Sequence, residues 1–155
     1  MPPSIGSYPM RLKRTAMPRV ESGEKEPLGF INGIQADSRE EWFWANSAWS
    51  LGWAGRFHYQ LPLGGGSQRR GGQILDFLFM ARPVALWTHI DGVYWHDPNR
   101  DAFERRQTAY LLLREYGIVA EPAEVPQRSP GSVTTDLLST QEASDRLFLQ
   151  VIGRY

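Results

Sequence analysis

The chain has 155 residues, 41% of them hydrophobic and six of them Trp, which suits one packed domain and excludes a wholly disordered polymer. Seventeen Lys and Arg balance seventeen Asp and Glu, so no global basic field advertises nucleic acid. The absence of Cys excludes disulfides, thiolate zinc sites and cysteine nucleophiles together.

Residues 1–27 hold five Pro and a small basic cluster (Arg11, Lys13, Arg14, Arg19) without helical or strand periodicity. They read as an extended Pro-rich arm of the kind that ties neighbouring subunits together. Residues 1–19 lack the apolar core of a secretory signal peptide, and no run is long enough to span a bilayer. The expectation is therefore no membrane contact and no signal-directed secretion.

A helix is signalled at "DSREEWFWANSAWSLGWAG". Ser38 and Glu41 have capping-box spacing, Trp42, Ala45 and Trp49 recur at helical intervals, and Gly52 or Gly55 supplies the stop. "RFHYQLP" alternates like a strand, and "LGGGSQRRGG" is a glycine-rich loop carrying Arg69 and Arg70. Two further strand-like runs, Gln73–Met80 and Pro83–Ile90, are separated by a short turn at Ala81-Arg82.

A second helix opens with Asp97 as cap and Pro98 in its first turn, and Gly117 stops it. "IVAEPAEV" reads as another strand, a polar Ser/Pro/Gly loop follows, and a last helix covers about 140–152, with Ser139 and Glu142 in capping-box register. The order α-β-β-β-α-β-α predicts an α/β fold with a mixed central sheet flanked by helices. The expected divisions are an arm (1–27), an α/β core (28–126), and a loop with C-terminal helix (127–155).

Polar residues break the apolar runs at one place. Asp76 interrupts Ile74–Met80, and a carboxylate within a strand is costly unless it is paired, hydrogen-bonded or coordinated. On the next strand, alternation puts Val84, Leu86, Thr88 and Ile90 on one side and Ala85, Trp87, His89 and Asp91 on the other. If the two strands form a hairpin, either His89 and Asp91 or the Thr88 carbonyl converges on Asp76. Two hard oxygen ligands plus water is how proteins hold Mg²⁺. His96 lies just beyond and suits proton exchange near neutral pH, while Glu41 would add a carboxylate if the first helix crosses the strand ends. Arg69, Arg70, Arg105 and Arg106 are the candidate phosphate contacts. Each has a plainer use: Asp91-Gly92 as a turn, the histidines as structural residues, Arg105 and Arg106 as a solvated helix face.

Residues 36–125, with "GGQILDFLF", "PVALWTHIDGVYWH" and "RDAFERRQTAYLLLREYGIVA", resemble the PD-(D/E)XK nuclease superfamily, in particular the branch of very-short-patch repair endonucleases. The resemblance implies a restriction-endonuclease-like core that cleaves DNA with Mg²⁺. It implies Asp76 as a metal ligand, Thr88 as donor of a backbone carbonyl to the metal, His96 as activator of water, and Glu41 as the helical acid. The family's Glu-x-Lys is replaced: His89 stands at the Glu position and Asp91 at the Lys position. Leu75 rather than Pro precedes Asp76, two extra residues separate Thr88-His89 from Trp95-His96, and the repair branch's zinc site has no Cys to form it.

Two expectations follow. One is a metal-dependent endonuclease-fold protein acting on or near DNA, with Asp76, His89, Asp91, His96 and Glu41 catalytic and Asp76, Thr88 and Asp91 holding the metal. The other is a catalytically inactive copy serving as a structural or adaptor subunit of a large assembly such as a phage virion. Its localisation would be cytoplasmic or virion-associated.

Overall fold

The computed structural model describes residues 28–93 and 97–155. The arm and His96 therefore lie outside the described residues. A two-residue hairpin comes first: β1 (Phe30–Ile31) and β2 (Ile34–Gln35) turn through Asn32-Gly33, both at positive φ (48° and 92°). Asn-Gly favours the primed turn that a tight hairpin needs. Next, α1 (Arg39–Ser50) starts as its sequence predicts, with the Ser38 hydroxyl accepting from the Glu41 backbone N–H at 3.1 Å.

The central sheet is built from β3 (Phe57–Leu63), β4 (Gln73–Phe79) and β5 (Ala85–Asp91), consecutive and antiparallel. Helix α2 (Pro98–Tyr116) then carries the chain to β6 (Ala120–Pro122), which pairs parallel to β5. Its limits match the sequence signals. The Asp97 carboxylate accepts from Asn99 N–H at 3.0 Å, and Gly117 ends the helix in the left-handed region at φ 69°.

The sheet has five strands, because Ser132–Thr134 forms β7 where the sequence suggests only a polar loop. Strand β5 shares one edge between two partners: Ala85–Trp87 pairs with β6 and His89–Asp91 pairs with β7. Residues 123–131 loop out between these two strands. Backbone bonds from Ala123 N–H to Trp87 C=O (3.0 Å) and from Gly131 N–H to Ala123 C=O (2.7 Å) close the loop's neck.

Helices cover both faces. Trp44 of α1 and Phe148 of α3 (Gln141–Phe148) pack with Phe57, Tyr59, Phe77 and Phe79 in one cluster. Leu111 and Leu112 of α2 pack with Leu61, Leu63, Leu75, Leu78 and Trp87 in the other. Val133, Leu138 and Phe148 belong to the first cluster, so residues 127–155 complete the core body instead of forming a separate appendage.

The cap of α3 is one residue later than the spacing suggests. Thr140, not Ser139, accepts from the backbone N–H of Ala143, at 3.0 Å. Thr140→Ala should cost about 1 kcal/mol in urea unfolding. Ser139→Ala should stay within about 0.5 kcal/mol. Equal costs would reverse the assignment.

Candidate functional site

The site begins at an interruption. The β3–β4 register joins Tyr59 to Phe77 and Leu61 to Leu75, and the intervening Gln60/Asp76 position is unpaired, with Gln60 at φ 55°. Across this break the buried side chains change allegiance: Tyr59 and Phe77 belong to the α1/α3 cluster, Leu61 and Leu75 to the α2 cluster. On the other side of β4, pairing with β5 is recorded from Phe79↔Leu86 as far as Phe77↔Thr88. Beyond it no β4 partner is recorded for β5, whose opposite edge is there held by β7. Asp76 thus sits where β4 loses its regular partners on both sides.

Its carboxylate takes over part of the missing ladder. Asp76 Oδ2 accepts from the Ile90 backbone N–H at 2.9 Å and lies 3.6 Å from His89 Nδ1. Both side chains keep some solvent contact, at 31% for His89 and 21% for Asp76. Of the sequence alternatives, His89 is the group that reaches Asp76. Asp91, two residues along the same face of β5, accepts instead from the Ser132 hydroxyl of β7 at 2.7 Å. Thr88 faces the opposite way and is fully buried, its hydroxyl accepting from the Trp44 indole N–H at 3.0 Å.

His89 is held toward its charged form. Burial disfavours the imidazolium, but the hydrogen bond and Coulomb attraction of Asp76, with Asp91 and Glu104 adding, outweigh it and raise its pKa above the usual histidine value. Glu41, only 8% exposed, accepts hydrogen bonds from the Tyr59 and Ser38 hydroxyls. Burial is the main cause pushing its carboxyl up to about 7. The Tyr59 bond opposes this, and the negative charges of Asp76 and Asp37 reinforce it. Glu41 therefore feels Asp76 electrostatically.

His89 and Asp91 open into a groove of about 680 Å³ between the end of β5, the first half of α2, and the 129–132 segment. Its described walls carry four carboxylates (Asp91, Asp97, Asp101, Glu104) against two guanidinium groups (Arg100, Arg105). Arg100 is paired with Glu104 at 3.2 Å. Of the four predicted phosphate contacts, Arg105 lines the groove. Arg69 and Arg70 are exposed on the loop leading to Gly71 and Gly72, which do line it, and Arg106 is exposed on α2 away from the lining.

Ser132, Glu104 and Trp87 were not singled out as site residues from the sequence. Trp87 carried a usable signal, since it shares the alternation face of His89 and Asp91. Ser132 had none, because its place depends on β7 finding the far half of β5. Among the described residues, no three His, Asp or Glu side chains converge closely enough to hold a metal ion. No helix among them is long and apolar enough to cross a membrane. No family model, curated protein or solved structure matches the chain.

Proposed function

We propose that this chain is a divalent-cation-dependent nuclease of PD-(D/E)XK type acting on DNA, with Asp76, His89 and Asp91 at its centre. One observation carries the reading: Asp76 meets His89 where β4 and β5 part, with Asp91 two residues along β5 beside a groove with more carboxylates than cations. Such a groove repels a phosphodiester by itself, and a bound divalent cation reverses that local electrostatic preference.

The donor chemistry of Asp76 and Asp91, with the Thr88 backbone carbonyl, suits Mg²⁺, which when bound would polarise the scissile phosphate. The chain's own groups do the rest. Asp76 raises the His89 pKa above the usual histidine value, which favours the imidazolium as the proton donor. Arg105 on the groove wall offers the phosphate a bidentate contact. Glu41, poised near neutrality, adds a carboxylate behind Asp76. His96 remains the proposed activator of water. Supercoiled DNA should be nicked in Mg²⁺ or Mn²⁺ and left intact in EDTA.

A second reading has its own support. His89 against Asp76 and Ser132 against Asp91 engage both carboxylates internally, so a protonated His89 supplies the positive charge a metal would otherwise bring. That arrangement fits an inactive copy of the fold, built into a larger assembly such as a virion through residues 1–27. DNA left uncut with either metal would overturn the enzyme reading in favour of this one.

A further inference from the structure

The groove contains an indole donor with no protein partner. Trp87 lines the groove with 1% of its surface exposed, and its Nε1–H enters no hydrogen bond among the described residues. That Nε1 is not sealed from solvent, so the donor faces the water of the groove, where an acceptor on a ligand can take the water's place. The Nε1 edge lies beside Gly131, where an added Cβ would come within 3.0 Å of Nε1. Gly131 also lines the groove and has φ 80°, so the backbone leaves this edge uncovered where any other residue would crowd it.

A second aromatic marks the rim. Phe103 of α2 lines the same groove with 59% of its surface exposed, an arrangement that costs solvation and contributes nothing to either core cluster. Between these two rings the described walls present carboxylates and amides, namely Asp101, Glu104, Gln73 and Gln107. A face for stacking, a donor on the floor and acceptors on the walls match the edge of a nucleobase. They do not match its phosphate, which the surplus of carboxylates disfavours.

We infer that the groove takes an unpaired nucleobase of single-stranded DNA, stacked on Phe103 with a base carbonyl accepting from Trp87 Nε1–H. This rests on the DNA reading above, yet base binding here needs no cleavage. A paired base has its carbonyl edge engaged and its faces stacked, so duplex DNA is the poorer ligand.

The experiment is fluorescence anisotropy in Ca²⁺, which offsets the groove's carboxylates, with a labelled single strand of about twelve nucleotides and its matched duplex. The single strand should bind about tenfold tighter than the duplex. Trp87→Phe keeps a ring but deletes the donor and should cut that preference about fivefold. Phe103→Ala, at an exposed position where the fold is not at stake, should do the same or more, and it decides the matter if Trp87→Phe fails to fold. Equal affinity for both DNAs, no binding of either, or a preference unchanged in Phe103→Ala overturns the inference. Metal-dependent nicking measured in parallel separates the two ideas: nicking without base preference refutes only the groove assignment, and base preference without nicking refutes only the nuclease.

Discussion

Asp76→Asn should abolish metal-dependent cleavage, lowering it by about a hundredfold or more, while leaving the fold in place. The substitution is nearly isosteric and keeps an oxygen for the Ile90 N–H, which Asp76 now satisfies at 2.9 Å. What it removes is the charge, and with it a hard ligand and the leading attraction that sustains the His89 imidazolium. Burial then dominates at His89, whose titration, followed by its ring-proton NMR shift, should move to lower pH. Asp76→Ala should add a structural penalty of about 1–3 kcal/mol, because the Ile90 amide at the strand divergence loses its acceptor. Cleavage by Asp76→Asn within threefold of the wild type would end the case for Asp76 as the centre of the chemistry. An unmoved His89 titration would show that Asp76 is not what holds its charge.

The elements that the sequence makes legible are those whose signals are local. Helix α2 carries its cap, its first-turn Pro and its terminal Gly within its own stretch, and each acts as its type predicts. Strands β3 to β5 are each seven residues long, enough for alternation to show, and short connections make them neighbours. The hairpin of β1 and β2 went unread although Asn32-Gly33 marks it, because two-residue strands leave no alternation to detect. Strand β7 is harder still. Ser132–Thr134 lies among Pro, Ser and Gly, and it becomes a strand because the β5 edge that β6 occupies as far as Trp87 is left open at His89–Asp91.

The site divides the same way. Facing of Asp76 and His89 follows from a hairpin whose two strands are adjacent in sequence, so both residues were visible. The Ile90 amide, Ser132 and the Trp87 donor were not, since they depend on where β4–β5 pairing stops and on which strand follows β6 along the other edge of β5. A burial pattern that reads as one alternating face along β4 is in fact split at Asp76 between two cores. Its polar character is thus tied to geometry as well as to chemistry: the side chain supplies the acceptor for the Ile90 amide where the recorded β4–β5 ladder ends.

Glu41→Gln should make the protein more stable at alkaline pH and less competent in cleavage. Glu41 is buried, with its carboxyl raised from 4.5 to about 7. As pH rises from 4.5 to 7 the unfolded chain gives up this proton first, so stability contributed by the protonated acid is complete below 4.5 and lost through 7. A shift of that size corresponds to roughly 3 kcal/mol of destabilisation once the folded carboxyl is ionised. Gln keeps an oxygen to accept from Tyr59 and turns an amide N–H toward the Ser38 hydroxyl, without the charge, so the variant should exceed the wild type by about 2–3 kcal/mol in urea near pH 8. The difference should vanish below 4.5. His58 runs in the opposite direction. Burial lowers its pKa from 6.5 to about 4, so its contribution is full above 6.5 and lost as pH falls through 4. Wild-type stability alone therefore hides both slopes between 4.5 and 6.5, and only the difference between variant and wild type isolates Glu41. A gap that does not change with pH would mean that Glu41 is not held protonated by burial. An acid retained at such a cost beside Asp76 is what a functional site trades for stability. A drop in metal-dependent cleavage accompanying the gain in stability would place Glu41 with Asp76 in the chemistry, and unchanged cleavage would return it to a purely structural role under Tyr59.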